Sequence, residues 1–269
     1  MRGIDVSFSK ITPQWAANRK AEGYEVFVQC AWTGGLAGNP GIKAVCENNL
    51  RCAREAGLIS CAYVNASPPD WWSLPIQMNK IEANCGDEWE RLLWVFMDVE
   101  IAGTTYERAA ELAQHVGIES GHICNTLYSA KWFWNTLPSK NDPRWKARFP
   151  NLWNAFYDSN PDIDFPTSPY GLWQIADLMG EQYQNTTVLE GVAVDLNTFR
   201  DSYFSTEDEL ALTERQSQTL EKLAQWTLEP YTVTWPNGAT QTFPSKLDFL
   251  MAHTTSFDQH RIDWLQGQA

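Results

Sequence analysis

A chain of 269 residues with 43% hydrophobic content can bury a sizeable core, as one large domain or one domain with a small appendage. Its net charge of −13 and pI near 4.7 argue against a nucleic-acid partner, since nothing here neutralises a row of phosphates. No apolar run approaches the roughly 18 residues of a membrane span, and Asp5 stands where a signal peptide needs an apolar stretch, so the chain is expected to lack one and to stay in the cytoplasm of the producing cell until released to a wall.

Residues 3–8 form a short apolar run and a candidate first strand. Thr12-Pro13 then supplies a cap and a proline at the first helical position, for a helix closing at Gly23. Residues 26–31 read as a second strand, a Gly-rich loop follows, and Asn39-Pro40 opens a helix ending at Gly57. The third strand spans 58–64, and a helix is expected over about 74–84. The fourth strand, 92–99, is continuously apolar, as a strand covered on both faces should be. Thr104-Thr105-Tyr106-Glu107 is a capping box for the next helix, residues 122–128 are a fifth strand, and 131–137 a short helix. Three more strands are expected at 152–157, 171–175 and 191–195, separated by loops alone.

Eight strands, five followed by helices, predict an α/β chain closed into a TIM-like barrel of (β/α)5(β)3 type over residues 1–204. From Ser205 the character changes. Leu210, Leu220, Leu223 and Trp226 mark an amphipathic helix, and the segment around Asn237-Gly238 reads as a hairpin. Residues 205–269 are therefore expected to form a small α+β appendage whose purpose the sequence leaves open among a wall-binding module, a self-association device and an attachment to a larger particle.

The fourth strand ends in "FMDVEI", where two acids interrupt an apolar run. Residues i and i+2 of a strand share a side, so Asp98 and Glu100 project together at the end that carries catalysis in such barrels. Asp5 lies in the first strand and Asp195 in the eighth, which become neighbours when a barrel closes. Crowded carboxylates keep a proton on one member, and glycoside cleavage needs an acid for the leaving oxygen beside negative charge for the transition state. A single Asp at a strand end is equally well a helix cap or an ion-pair partner, whereas the Asp98/Glu100 pair is not explained by capping.

Tyr63, Tyr128, Trp153, Tyr157 and Trp173 fall at or near strand ends, where a sugar stacks or hydrogen-bonds, though barrel packing accounts for each nearly as well. Gln174 and Asn197 either bind hydroxyls or support Asp195. The fourteen tryptophans fit a sugar-binding protein. The six cysteines all lie in the first half without a C-x-x-C pair and are expected to be buried thiols. Four scattered histidines give no support to a metal site, and no cofactor is called for.

"GIDVS", "FMDVE", "LWNAFY", "LWQIA" and "GVAVDLN" resemble, in order and spacing, the glycoside hydrolase family 25 muramidases, the Chalaropsis-type lysozymes of phages, bacteria and fungi. The resemblance covers about residues 1–200. It implies hydrolysis of the β-1,4 bond between N-acetylmuramic acid and N-acetylglucosamine in bacterial peptidoglycan, with retention, through attack by the substrate's own N-acetyl group. By the same resemblance Glu100 is the proton donor, Asp98 supports the N-acetyl group, and Asp5 and Asp195 complete the set; a phage or prophage source and an antibacterial lytic role follow. Departures sit at the groove walls: Gln29 and Trp32 on the second strand, Tyr63 and Asn65 on the third, and the loop bearing Trp71 and Trp72. They leave open a catalytically silent glycan-binding or structural module, or a hydrolase of another N-acetylated polysaccharide.

Overall fold

A computed structural model describes residues 1–34, 40–162, 171–204, 231–234 and 240–243. The chain divides into two compact units, Met1–Tyr203 and Phe204–Ala269. The first is a closed eight-stranded barrel of mixed α/β class, as the alternation of strands and helices predicts.

Local sequence sets its elements. Strand β1 (Arg2–Val6) leads to helix α1 (Pro13–Ala21), where the Thr12 hydroxyl accepts the Trp15 N–H at 3.1 Å and Pro13 needs no donor. Strand β2 (Tyr24–Trp32) is followed by two helices, α2 (Pro40–Lys43) and α3 (Cys46–Glu55), in place of the single one expected. Then come β3 (Ile59–Asn65), α4 (Leu74–Cys85), β4 (Val95–Asp98) and α5 (Tyr106–Gln114), the last capped by the Thr105 hydroxyl. Strand β5 (Thr126–Ala130) precedes α6 (Lys131–Trp134) and α7 (Arg144–Arg148), and β6 (Asn151–Ala155) closes the helix-bearing part.

The seventh strand is not where the apolar pattern places it. Residues 171–175 are irregular, and β7 is the polar segment Leu178–Leu189. A strand whose inner face borders a polar cavity carries glutamines rather than valines, so apolar content points to the wrong segment. A two-residue turn, with Glu190 and Gly191 both at positive φ, joins β7 to β8 (Val192–Phe199) as a hairpin. Strands β1 to β7 are mutually parallel; β8 runs antiparallel to both β7 and β1 and closes the barrel between them.

The barrel floor is aromatic. Trp153 packs against Phe96 (ring centroids 5.2 Å apart) and Phe199 (5.5 Å). Gly3 and Gly180 make room for Phe199: a β-carbon at either would lie 2.4 Å from its ring. A second apolar layer, with Trp134, Trp145, Phe149 and Trp173, fills the space between barrel and helices. All six cysteines are buried thiols, with the Cys46 and Cys85 sulfurs 3.7 Å apart.

In the second unit, β9 (Tyr231–Thr234) pairs antiparallel with β10 (Thr240–Phe243), Thr240 opposite Thr234. The turn expected at Asn237-Gly238 and the helix expected to carry Leu210, Leu220, Leu223 and Trp226 fall outside the described residues. Among the described residues no helix is long and apolar enough to cross a membrane.

Candidate active site

Closure of the barrel brings four acids to one cavity. Asp5 and Asp195 are direct cross-strand partners in the β1–β8 ladder. Asp98 ends β4, and the Val99 N–H bonds the Tyr128 carbonyl at 3.0 Å, so the chain stays extended long enough to carry Glu100 to the same side. A cavity of about 180 Å³ at this rim is lined by all four, together with Tyr63, Tyr128, Trp153 and Tyr157.

Of the predicted site residues, Trp173 and Gln174 stand elsewhere. Trp173 is fully buried behind the barrel wall, its indole 5.2 Å from that of Trp134 and its Nε1 donating to the Phe149 carbonyl at 2.8 Å. Gln174 is exposed and caps the short 3₁₀ turn Ile175–Asp177. Both were expected at the rim on the assumption that they end a strand, and they instead precede one. The β7 residues Gln182 and Asn185 line the cavity in their stead. No local pattern finds both: Gln182 and Asn185 lie three residues apart, and they face one cavity only because the register of β7 shifts after Gln182.

The acids are held by a neutral hydrogen-bond frame. The indole N–H of Trp153 donates to Asn197 Oδ1 at 3.0 Å, and Asn197 Nδ2 donates to Asp5 Oδ2 at 2.7 Å. Asn197 thus supports Asp5 through its side chain. Asp195 accepts the Thr186 N–H at 2.5 Å, made available by an irregularity in β7 where Thr186 sits at φ 52°. Gln182 accepts the Tyr128 hydroxyl and hydrogen-bonds Asp195. Asn65, beside Asp98 in the ladder, hydrogen-bonds its carboxyl, and the Ala130 N–H donates to Glu100. Gln29, on the second strand, is fully buried and donates to the Ser7 and Cys30 carbonyls at 3.0 and 2.9 Å, fixing the chain after β1.

Among the described residues no cation pairs with any of the four acids, and none of the described clusters is arranged to hold a metal ion. Burial, then the charge of Asp195, raises the Asp5 carboxyl well above the usual range; burial, then Glu100, does the same to Asp98. Asp195 is raised by burial and restrained by the Thr186 and Gln182 bonds. Burial lifts Glu100 from its ordinary 4.5 to about 7. Asp98 Oδ1 and Glu100 Oε1 are the buried carboxyl oxygens of this cluster left without a hydrogen-bond partner. Asp98 and Glu100 thus each keep one carboxyl oxygen that no described protein group engages.

A raised carboxyl pKa favours the folded state only while the proton is bound. Glu100's contribution is complete below about pH 4.5 and is lost as pH rises through about 7. Glu100→Gln should therefore stabilise the protein increasingly from pH 5 to pH 8, reaching on the order of 2 kcal/mol after discounting for partial exposure. Thermal melts of both proteins at each pH measure this, and a pH-independent difference in Tm would contradict the assigned environment. His122, held below its ordinary value by burial, gives wild type an opposite slope in the acid range, which cancels in the difference.

A probable glycoside hydrolase family 25 lysozyme of Dictyostelium discoideum is 27% identical over 224 residues, covering 76% of this chain and 42% of that protein. The family 25 resemblance stands. The chain spans less than half the length of that curated relative, and no family model matches it. Solved structures similar to it include GHIP, a glycosyl hydrolase 25 of Streptococcus pneumoniae, at 12% identity over 74% of this chain and 86% of that one, with a TM-score of 0.48. Another is the cell wall endolysin of phage Cp-1, at 14% identity over 74% and 54%, with a TM-score of 0.46. In this barrel the motifs "GIDVS", "FMDVE" and "GVAVDLN" are the three that deliver acids to the cavity. "LWNAFY" delivers Trp153 and Tyr157, and "LWQIA" contributes packing and a turn.

Proposed function

We propose that the Met1–Tyr203 unit is a peptidoglycan muramidase that hydrolyses the β-1,4 bond between N-acetylmuramic acid and N-acetylglucosamine. The observation that carries this is a cavity with four carboxyl groups and no cation, in which Glu100 is poised near neutrality. Glu100 gives its proton to the glycosidic oxygen as the bond from C1 to that oxygen breaks. The carbonyl oxygen of the substrate's acetamido group closes on C1 from the opposite face, forming a cyclic oxazolinium ion. Asp98 accepts the acetamido N–H and, when ionised, stabilises that cation; Asp5 and Asp195 add field of the same sign. The Glu100 carboxylate then takes a proton from a water molecule, which attacks C1 on the face the leaving group vacated. The ring reopens and configuration is retained.

Tyr63, Tyr128, Trp153 and Tyr157 wall the cavity, Tyr157 being the exposed one of the four. In this reading Tyr157 meets the sugar, while Tyr128 and Trp153 act through Gln182 and Asn197. A binding module without turnover would gain nothing from burying four acids together, which costs stability. Mass spectrometry of fragments released from defined peptidoglycan tests the assignment: new reducing ends on N-acetylmuramic acid support it. N-acetylglucosamine ends, peptide cleavage, or no release from several wall types would replace it with a glucosaminidase, an amidase or a silent binder respectively.

A further inference from the structure

A second cavity, of about 160 Å³, lies against the first and shares Asp5 and Asp195 as its wall. Its far side is Phe8, 59% exposed on the loop after β1. One edge of that ring rests on α2, where a β-carbon on Gly41 would lie 3.4 Å from it. The loop that carries Phe8 is fixed: Gln29 donates to the Ser7 carbonyl, Asn49 donates to the Ser9 carbonyl at 2.8 Å, and the Ser9 hydroxyl accepts the Ala193 N–H at 3.3 Å. An aromatic ring held in place by buried polar groups yet left open to solvent forgoes the stabilisation of burial. A ligand with both an apolar face and hydroxyl groups recovers it, because the other walls present the Ser7 hydroxyl and two carboxyls.

We propose that this second cavity binds one further pyranose ring of the same glycan strand, stacked on Phe8, next to the sugar in the acid-lined cavity. The inference rests on the glycosidase reading given above and adds a residue that sets preference for chain length. The shared Asp5/Asp195 wall places two cavities of similar size side by side, as successive rings of an unbranched strand require. Ser7, whose hydroxyl is 2.8 Å from that of Tyr63, spans the two.

The test uses the full chain and soluble peptidoglycan glycan strands of two, four and six sugars. In wild type, kcat/KM should rise with strand length. Phe8→Ala should lose about tenfold on the six-sugar strand, mostly in KM, the scale of one aromatic contact face, and Phe8→Tyr should restore it. Ala193→Trp, which crowds the cavity from an exposed position on β8 and leaves the Phe8 side chain in place, should reproduce the loss. In the Glu100→Gln background, calorimetry with the six-sugar strand should show the same tenfold weakening of Kd for each variant. Unchanged kcat/KM and Kd in Phe8→Ala and Ala193→Trp would overturn the second-ring site and leave the muramidase assignment untouched. Strands that wild type neither binds nor cleaves would overturn both.

Discussion

Glu100→Gln is expected to lower kcat on peptidoglycan by 10²- to 10⁴-fold, on the order of what a positioned general acid contributes, while far-UV circular dichroism stays that of wild type. The glutamine keeps the volume and the hydrogen bond from the Ala130 N–H but has no proton to give. Substrate binding should survive, so the loss falls on kcat rather than KM. Wild-type activity should decline as pH rises through about 7, because the acid form of Glu100 is the competent one there. The four carboxyl groups titrate as a coupled set, so the observed midpoint belongs to the cluster. A variant that clears cell walls at the wild-type rate would move the acid role to another residue of the cavity, with Asp98 the next to replace.

Trp153→Ala is expected to be the most damaging single change to the barrel, costing about 3–5 kcal/mol for the void left by a fully buried indole. Its ring touches those of Phe96, Tyr128 and Phe199, so the loss is felt across β4, β5 and β8. It has a second consequence at the acids. An indole nitrogen only donates, so Asn197 must turn its oxygen to Trp153 and its amide hydrogens to Asp5. Trp153→Phe keeps most of the packing and removes that constraint, freeing Asn197 to flip and present oxygen to Asp5. Denaturant unfolding should find Trp153→Phe much milder than Trp153→Ala. Its pH–activity profile should shift, and a profile identical to wild type would show that the Asn197 orientation does not matter to the reaction.

Much of the barrel is legible in the chain because its signals are local. Thr12-Pro13 caps α1 with a side chain that reaches only three residues along, whereas the box read over Thr104–Glu107 does not form: Thr105 is the cap, and the Thr104 hydroxyl donates to the Ala66 carbonyl. The apolar run before Asp98 marks a strand covered on both faces, and the two acids at its end have no other local use. The boundary of β5 shifts by several residues, since the apolar start of the predicted strand, around Ile123, forms only an isolated bridge to Trp94.

The sequence by itself therefore determined that strands and helices alternate through the first half of the chain, where α1 begins, and that Asp98 and Glu100 share a side, because each of these depends on residues a few positions apart. Only the tertiary structure decided that β7 is the polar segment with Gln182, that β8 runs antiparallel, and that Asp5 faces Asp195 across a ladder closed by residues 190 apart. It alone decided the protonation of Glu100, since burial and the approach of charges from other strands are properties of the closed cylinder and of no short stretch of chain.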